Sequence, residues 1–171
     1  MRVSIGFAAL VVGCVFTGSL DCTAREEATP SGKGPELKIV ASSTVDAFGA
    51  TLSAGHTGSP IDDVAVRIPP GALDRADVIS LGYRKSTARI RAGKGSGTDI
   101  VLSAKQVTEF KKEVAVEVPY DPRLASSSLV IPYEIDEQGR LHVMDIGNVD
   151  KENHRLTVNT FKPVAFTLVY P

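Results

Sequence analysis

The residues best suited to catalysis or metal binding are few and scattered in this chain of 171 residues. His56, His142 and His154 have no neighbour at ligand spacing, and a zinc site would need three or four assembled ligands. The serine run at 126–128 lacks the Gly-x-Ser-x-Gly turn that exposes a nucleophile, which also needs a base within hydrogen-bond reach. The sequence therefore predicts no catalytic residue, no metal site and no cofactor.

A glycine-rich segment at 93–97 is superficially similar to a phosphate-binding loop. In the true motif the lysine directly follows the last glycine, and a helix comes next. Here Lys94 lies inside the glycine run and another strand is predicted after it. We therefore expect a flexible hairpin loop in this segment and no bound phosphate.

Three pairs of acidic residues could attract calcium, which favours clustered carboxylates. They are Asp62 with Asp63, Asp74 with Asp77, and Asp136 with Glu137. Their spacing matches no EF-hand loop. We expect these side chains to serve turn formation and solubility.

Basic residues concentrate in one short stretch, at Arg84, Lys85, Arg89, Arg91 and Lys94. Alternation along a strand would place Arg89 and Arg91 on one face and Ile90 on the other. Such a strand could contact anionic lipid or polysaccharide. A charged strand edge also discourages aggregation with other strands, and we favour that role.

The N-terminal segment has the layout of a secretory signal, with a positive start and an apolar run at 3–16. That run is shorter than the roughly 20 residues of a membrane-spanning helix. Residues 10–14 are similar to a lipobox, which makes Cys14 the predicted lipid-attachment site. The alternative is signal cleavage after Ala24 and soluble export. Residues 1–24 are thus predicted to be the signal and residues 25–35 a flexible linker.

Composition narrows the class of the remaining domain. The chain holds 19 Lys and Arg against 20 Asp and Glu, which excludes a strongly basic nucleic-acid binder. Both cysteines lie in the signal segment, at 14 and 22, so the body from residue 36 onward can form no internal disulfide. We expect an exported protein of a bacterial-type cell envelope, either lipid-anchored or secreted and periplasmic.

From residue 36 the apolar residues alternate with a period of two, as in half-buried strands. Val64, Val66 and Ile68 form one such set, and residues 114, 116 and 118 form another. Residues that favour turns separate these alternating segments. We expect strands near residues 37–42, 47–53, 63–69, 77–84, 87–91, 98–103, 113–119, 128–136, 140–146, 154–160 and 163–170. The spacing predicts an all-β fold, an antiparallel β-sandwich of many short strands over 36–171 with no long helix.

The most specific stretch of the chain is a strand that ends in Ile68, Pro69, Pro70, Gly71, Ala72 and Leu73. Proline has no backbone donor and ends the strand ladder, Gly71 allows a bend, and Leu73 can return to the core. This block resembles the ZU-five domain, a family found in netrin receptors, ankyrins, zonula-occludens proteins and bacterial relatives. Phe48 and Gly49 match the pattern upstream. Pro119 and Tyr120 match it downstream, although Lys112 and Glu113 replace the usual proline there.

The resemblance divides the body into a ZU-five-like part at 36–122 and a UPA-like part at 128–171. It implies a loop at 145–150 and two final strands. Some relatives cut themselves at His-Phe-Ser, where Thr160, Phe161 and Lys162 stand here. Lysine has no hydroxyl for the N-to-O acyl shift, so we predict no self-cleavage. Phe161 is expected to anchor the core.

Together these features predict a non-catalytic β-sandwich that serves as a protein-interaction or structural module of the cell envelope. The expected partner is an unknown protein or envelope component, with the membrane reached through the lipid, and neither nucleic acid nor a small-molecule substrate is expected. One alternative is an envelope carbohydrate-binding domain or an enzyme whose site lies on loops. Another is an inactive relative of the self-cleaving modules.

Overall fold

Antiparallel strands make up all the regular structure in the computed structural model, which describes residues 35–86, 88, 90, 93–123 and 129–171. The predicted all-β fold is confirmed, and no helix occurs in these ranges. Cys14, Ala24, the linker up to residue 34 and the serines at 126–128 lie outside the described residues. The eleven strands are β1 Lys38–Val45, β2 Ala50–Ser53, β3 Ala65–Ile68, β4 Asp77–Lys85, β5 Lys94–Ala104, β6 Val114–Pro119, β7 Ile131–Ile135, β8 Leu141–Val143, β9 Ile146–Asp150, β10 Arg155–Thr160 and β11 Val164–Tyr170.

The strands form two sheets, and strands from both halves of the chain enter each of them. The six-stranded sheet has the order β1-β4-β5-β11-β7-β8, and the five-stranded sheet has the order β2-β3-β6-β10-β9. The last strand, β11, lies between β5 and β7, while β10 pairs with β6. Strands on either side of residue 128 are therefore neighbours in both sheets.

The core lies between the two sheets and follows the period-two pattern of the sequence. Val66, Val116 and Val158 face inward from the five-stranded sheet and are fully buried. Leu81 and Phe166 face them from the six-stranded sheet and are also fully buried. Because alternate side chains point to opposite faces, one apolar set per strand is enough to fill this layer.

Two segments expected to be loops are strands. Residues 94–97 of the glycine-rich segment belong to β5, because Lys94 pairs with Tyr170 and Gly95 with Val169. The predicted loop at 145–150 contains β9, which pairs with β10. There Asn148 pairs with Thr157 and Ile146 with Val158, so Gly147 is the extra residue of a β-bulge. That extra residue breaks the alternation by which a strand is recognised.

The strand expected at 87–91 does not form among the residues described in that stretch. Ala88 and Ile90 lie outside any strand, and β4 ends at Lys85. Arg89 and Arg91 are outside the described residues.

The Pro-Pro-Gly block turns the chain at the end of β3 and packs against the Phe48–Gly49 turn. Gly71 has a φ of 78° and donates its amide to Ala47 O over 2.7 Å. Gly49 has a φ of 76° and lies directly on the backbone of residues 68–70. Leu73 then returns to the core and is buried. The block is thus a structural corner that joins β1, β2 and β3.

Two aspartates hold loops through main-chain hydrogen bonds. Asp77 is buried and accepts amide hydrogens from Gln106 and Val107, which fixes the chain after β5. Asp62 accepts hydrogen bonds from Thr57, Gly58 and Ser59 at the opposite end of the sandwich. Burial raises the pKa of Asp62, but these hydrogen bonds more than offset it and hold the pKa at about 2.

Candidate functional site

A groove opens on the side of the sandwich where both sheets end. β8 is the edge strand of the six-stranded sheet, and β9 is the edge strand of the five-stranded sheet. Met144 and Asp145 connect them. The groove beside this connection has a volume of about 400 Å³ and is lined by Val143, Met144, Phe161 and seven polar residues, none of which belongs to β9. We call it the β8–β9 groove.

One wall of the groove is the tight turn that joins β10 to β11 across the two sheets. The Thr160 hydroxyl donates to Lys162 O over 2.8 Å, and the Lys162 amide donates to the Thr160 hydroxyl over 3.2 Å. Lys162 Nζ lies 2.7 Å from Glu134 Oε1. These contacts fix Thr160 and Lys162 on either side of Phe161, whose side chain is exposed.

Phe161 does not anchor the core as the sequence led us to expect. Its side chain is 51% exposed and lines the β8–β9 groove. The reason is geometric, because residues 161–163 cross from one sheet to the other and lie at the rim of the layer that the strands bury. Phe110 and Phe166 occupy the interior in its place.

Exposed apolar side chains are concentrated at this edge. Val143 is 68% exposed, Ile146 is 40% exposed, and Val149 follows on β9. Together with Phe161 they account for four of the nine large apolar residues exposed in the described part of the chain. Val143 and Phe161 line the same groove, and apolar residues that are exposed together in this way are typical of an interaction site, whereas isolated ones are ordinary on protein surfaces.

The charged residues at the groove are mostly acidic. Glu109 and Asp145 are exposed and form no ion pair with any other described residue. Glu134 is already paired with Lys162. A segment that docks here would meet an apolar surface with acidic groups beside it.

The free edge of β9 adds main-chain groups to this surface. Within the described ranges β9 pairs only with β10, and four of its five residues are exposed. The Gly147 bulge and the flanking Asp145 and Asp150 limit uncontrolled pairing with other strands. Gly147 also leaves room for the Asn159 amide, which would lie 2.8 Å from an added Cβ.

The residues of the family motif lie outside the β8–β9 groove. Ile68, Ala72 and Leu73 are buried, whereas Pro70 is exposed at the corner of the fold. Pro119 ends β6 at the far end of the sandwich, and Tyr120 follows it, where the Tyr120 amide donates to His154 O over 2.9 Å. The structure therefore gives these residues positions in turns and packing.

The three histidines have different neighbours. His56 lies 3.4 Å from Asp63, and His142 Nε2 lies 3.1 Å from Asp136 Oδ2. The ring of His154 packs edge-on against Tyr120. Among the described residues no group of three or more metal-ligating side chains comes together.

Basic side chains of the domain contact two of the acidic pairs. Arg140 donates to Asp136 through its backbone and its side chain, and Lys111 lies 2.6 Å from Asp74. Burial raises the pKa of Asp136, but hydrogen bonds from Arg140 and His142 hold it well below its usual range.

A second cavity of about 310 Å³ lies between the sheets at the far end. Its lining is mainly apolar and includes Ile61, Val118 and Leu168, with Tyr170 and one acid, Asp121. Asp121 is bound by the side chain of Arg123 through two hydrogen bonds of 3.0 and 2.9 Å. This cavity does not assemble a pair of acids or a platform of aromatic rings.

No family model matches the chain, and no curated protein matches it. Within the described ranges, no helix has the length and apolar character needed to cross a bilayer. The β8–β9 groove was missed by sequence reasoning because its members come from separate segments. No local pattern marked them, because Val143 fell in an expected strand and Phe161 was expected in the core.

Proposed function

We propose that this chain is an exported, membrane-tethered β-sandwich that binds a protein partner of the cell envelope through the β8–β9 groove. The observation that carries the proposal is the pair of exposed apolar side chains that line the groove, Val143 and Phe161, with Ile146 exposed on the neighbouring edge strand β9. The signal pattern with Cys14 supports export and tethering, and the resemblance to ZU-five domains supports an interaction module.

The chemistry of the groove indicates what the partner presents. Apolar side chains would pack against Phe161 and Val143, and basic side chains would lie beside Glu109 and Asp145. Burial of an aromatic anchor supplies most of the affinity at such interfaces, while the surrounding charges favour the correct partner. The partner is therefore expected to offer a short segment with mixed apolar and basic character.

Site-specific photo-crosslinking in intact cells tests this assignment. A crosslinking residue at Val143 is expected to capture a discrete envelope protein, whereas one at Thr51, on the far edge strand β2, is not. Phe161→Ser is expected to reduce capture at Val143 by about tenfold or more, since aromatic anchors typically contribute over 1.4 kcal/mol.

Phe48→Ser is the matched control for this variant. Phe48 is 84% exposed and lies outside the β8–β9 groove, so capture should stay at the wild-type level. Equal capture from Val143 and Thr51, or equal losses in the two serine variants, would rule out the groove as the binding surface.

Lipid attachment is tested separately by metabolic labelling with a palmitate analogue. Labelling is expected in the wild-type chain and should disappear in Cys14→Ser, because the lipid is carried by that thiol. Cys22→Ser serves as the control and should leave labelling unchanged. Label that persists in Cys14→Ser would refute the lipobox assignment while leaving the groove unaffected.

A further inference from the structure

Described basic residues cluster where the N-terminal linker joins the domain. Pro35, Lys38 and Lys85 line one shallow groove of about 430 Å³. Lys38 begins β1, Lys85 ends β4, and Lys94 begins β5, so all three lie at the same end of the six-stranded sheet. We call this region the basic corner.

Most other charges near the basic corner are neutralised within the domain. Arg84 Nε lies 3.1 Å from Asp99 Oδ2, which is fully buried. Arg123 is paired with Asp121. Lys38, Lys85 and Lys94 are exposed and form no ion pair with a described residue, and Glu36 is the nearby exposed acid. The corner therefore carries an excess of positive charge, although the whole chain has a formal net charge of −1.

Apolar side chains are exposed on either side of Lys38. Leu37 is 43% exposed and Ile39 is 49% exposed. Lys38 and Ile39 project to opposite faces of the edge strand β1, so a bilayer that meets the end of this strand would take the apolar groups into the head-group region while the ammonium groups contact anionic lipid. A soluble polysaccharide would use the lysines but leave Leu37 and Ile39 in water.

The basic corner and the β8–β9 groove lie at opposite ends of the same strands. β11 starts two residues after Lys162, at the groove, and ends at Tyr170, which pairs with Lys94. Seven extended residues span about 20 Å. A surface that contacts the basic corner would thus leave the groove accessible.

From these positions we infer that the basic corner docks on the anionic lipid surface of the membrane to which the linker is tethered, and that this orients the β8–β9 groove away from it. The inference rests on the tethering in the proposed function. Pro35, the last residue of the predicted linker, lies beside Lys38 and Lys85, so the linker joins the domain at this corner. Each lysine near an anionic surface strengthens binding about fivefold.

Vesicle co-sedimentation of the full-length Cys14→Ser chain tests the inference without the lipid. Vesicles of phosphatidylcholine alone are compared with vesicles containing about one third phosphatidylglycerol, an anionic lipid. Both present the same bilayer to the N-terminal apolar segment, so the difference in partition measures attraction to charge. The chain is expected to prefer anionic vesicles, and added salt should remove the preference.

The ratio of binding to anionic over neutral vesicles is expected to fall at least tenfold in a triple variant, which carries Lys38→Gln, Lys85→Gln and Lys94→Gln. The matched control changes Lys105, Lys111 and Lys112 to Gln, because these exposed lysines lie at the opposite end. Circular dichroism checks that both variants remain folded.

Equal losses in the two triple variants, or no preference in the parent chain, would overturn the inference. Binding to an immobilised anionic polysaccharide without binding to anionic vesicles would also overturn it and assign the corner to polysaccharide. The proposed function is judged by other measurements, since palmitate labelling and crosslinking at Val143 do not depend on the three lysines.

Discussion

Gly49→Ala is expected to destabilise the sandwich by about 3 kcal/mol or more, enough to unfold a marginal domain. An alanine Cβ would lie 2.3 Å from Ile68 O, 2.8 Å from Pro69 C and 2.9 Å from Pro70 N. All three atoms belong to the backbone, so no side chain can rotate away. The φ of 76° adds about 1–2 kcal/mol for any residue with a Cβ.

Gly58→Ala is the control that measures the backbone strain of a positive φ without a steric clash. Gly58 has a similar φ of 74°, but no atom lies within 4 Å of an added Cβ. Its cost should therefore be only the conformational penalty of about 1–2 kcal/mol. Urea denaturation followed by circular dichroism measures both variants. Similar midpoints for the two would show that Gly49 does not pack against the Pro-Pro-Gly turn.

Asp77→Ala is expected to cost about 3 kcal/mol, because several amides lose their acceptor in a buried site. Asp77 is only 3% exposed. Its Oδ2 accepts the amides of Gln106 and Val107 at 2.9 and 2.7 Å, and its Oδ1 accepts the amide of Val78 at 2.7 Å. Without it, the segment after β5 has no anchor at this point.

The carboxylate of Asp77 also makes stability depend on pH. Burial raises the pKa of Asp77, but the three amide hydrogen bonds and the nearby Arg75 outweigh it, so the pKa lies below the ordinary 3.8. A depressed pKa in the folded state stabilises the protein fully above pH 3.8, and this contribution is lost as the pH falls through the folded value.

Asp77→Asn is the control for charge, because it keeps the shape and one acceptor oxygen. It should be less destabilising than Asp77→Ala at neutral pH, and its deficit against the wild type should shrink below pH 3.8. Equal stability of Asn and Ala variants, or a deficit that does not change with pH, would argue against a charged anchor.

The sequence anticipated the elements whose alternation is unbroken. β3, β6, β10 and β11 were all expected within two residues of their observed bounds, because Val, Ile and Leu recur at every second position. β9 was missed since Gly147 inserts an extra residue and shifts the alternation by one. The start of β5 was missed because its glycines and Ser96 show no apolar alternation, although this segment pairs with β11.

The β8–β9 groove could not be located in the same way. Val143 and Phe161 are separated by two strands along the chain and meet only because β8 and β9 end different sheets. Residue type alone assigns Phe161 to the core. Its exposure depends on where the crossover between sheets lies, which is not a local property.

The sequence by itself determined the all-β class, the faces that are buried and the turn at Pro69–Gly71, because alternation and the φ preferences of proline and glycine act over a few residues. Only the tertiary structure decided which strands became edges, and therefore that Val143 and Phe161 line one groove while Lys38, Lys85 and Lys94 lie at one end of the six-stranded sheet. Strand order follows from contacts between distant segments, and those contacts leave no period in the sequence.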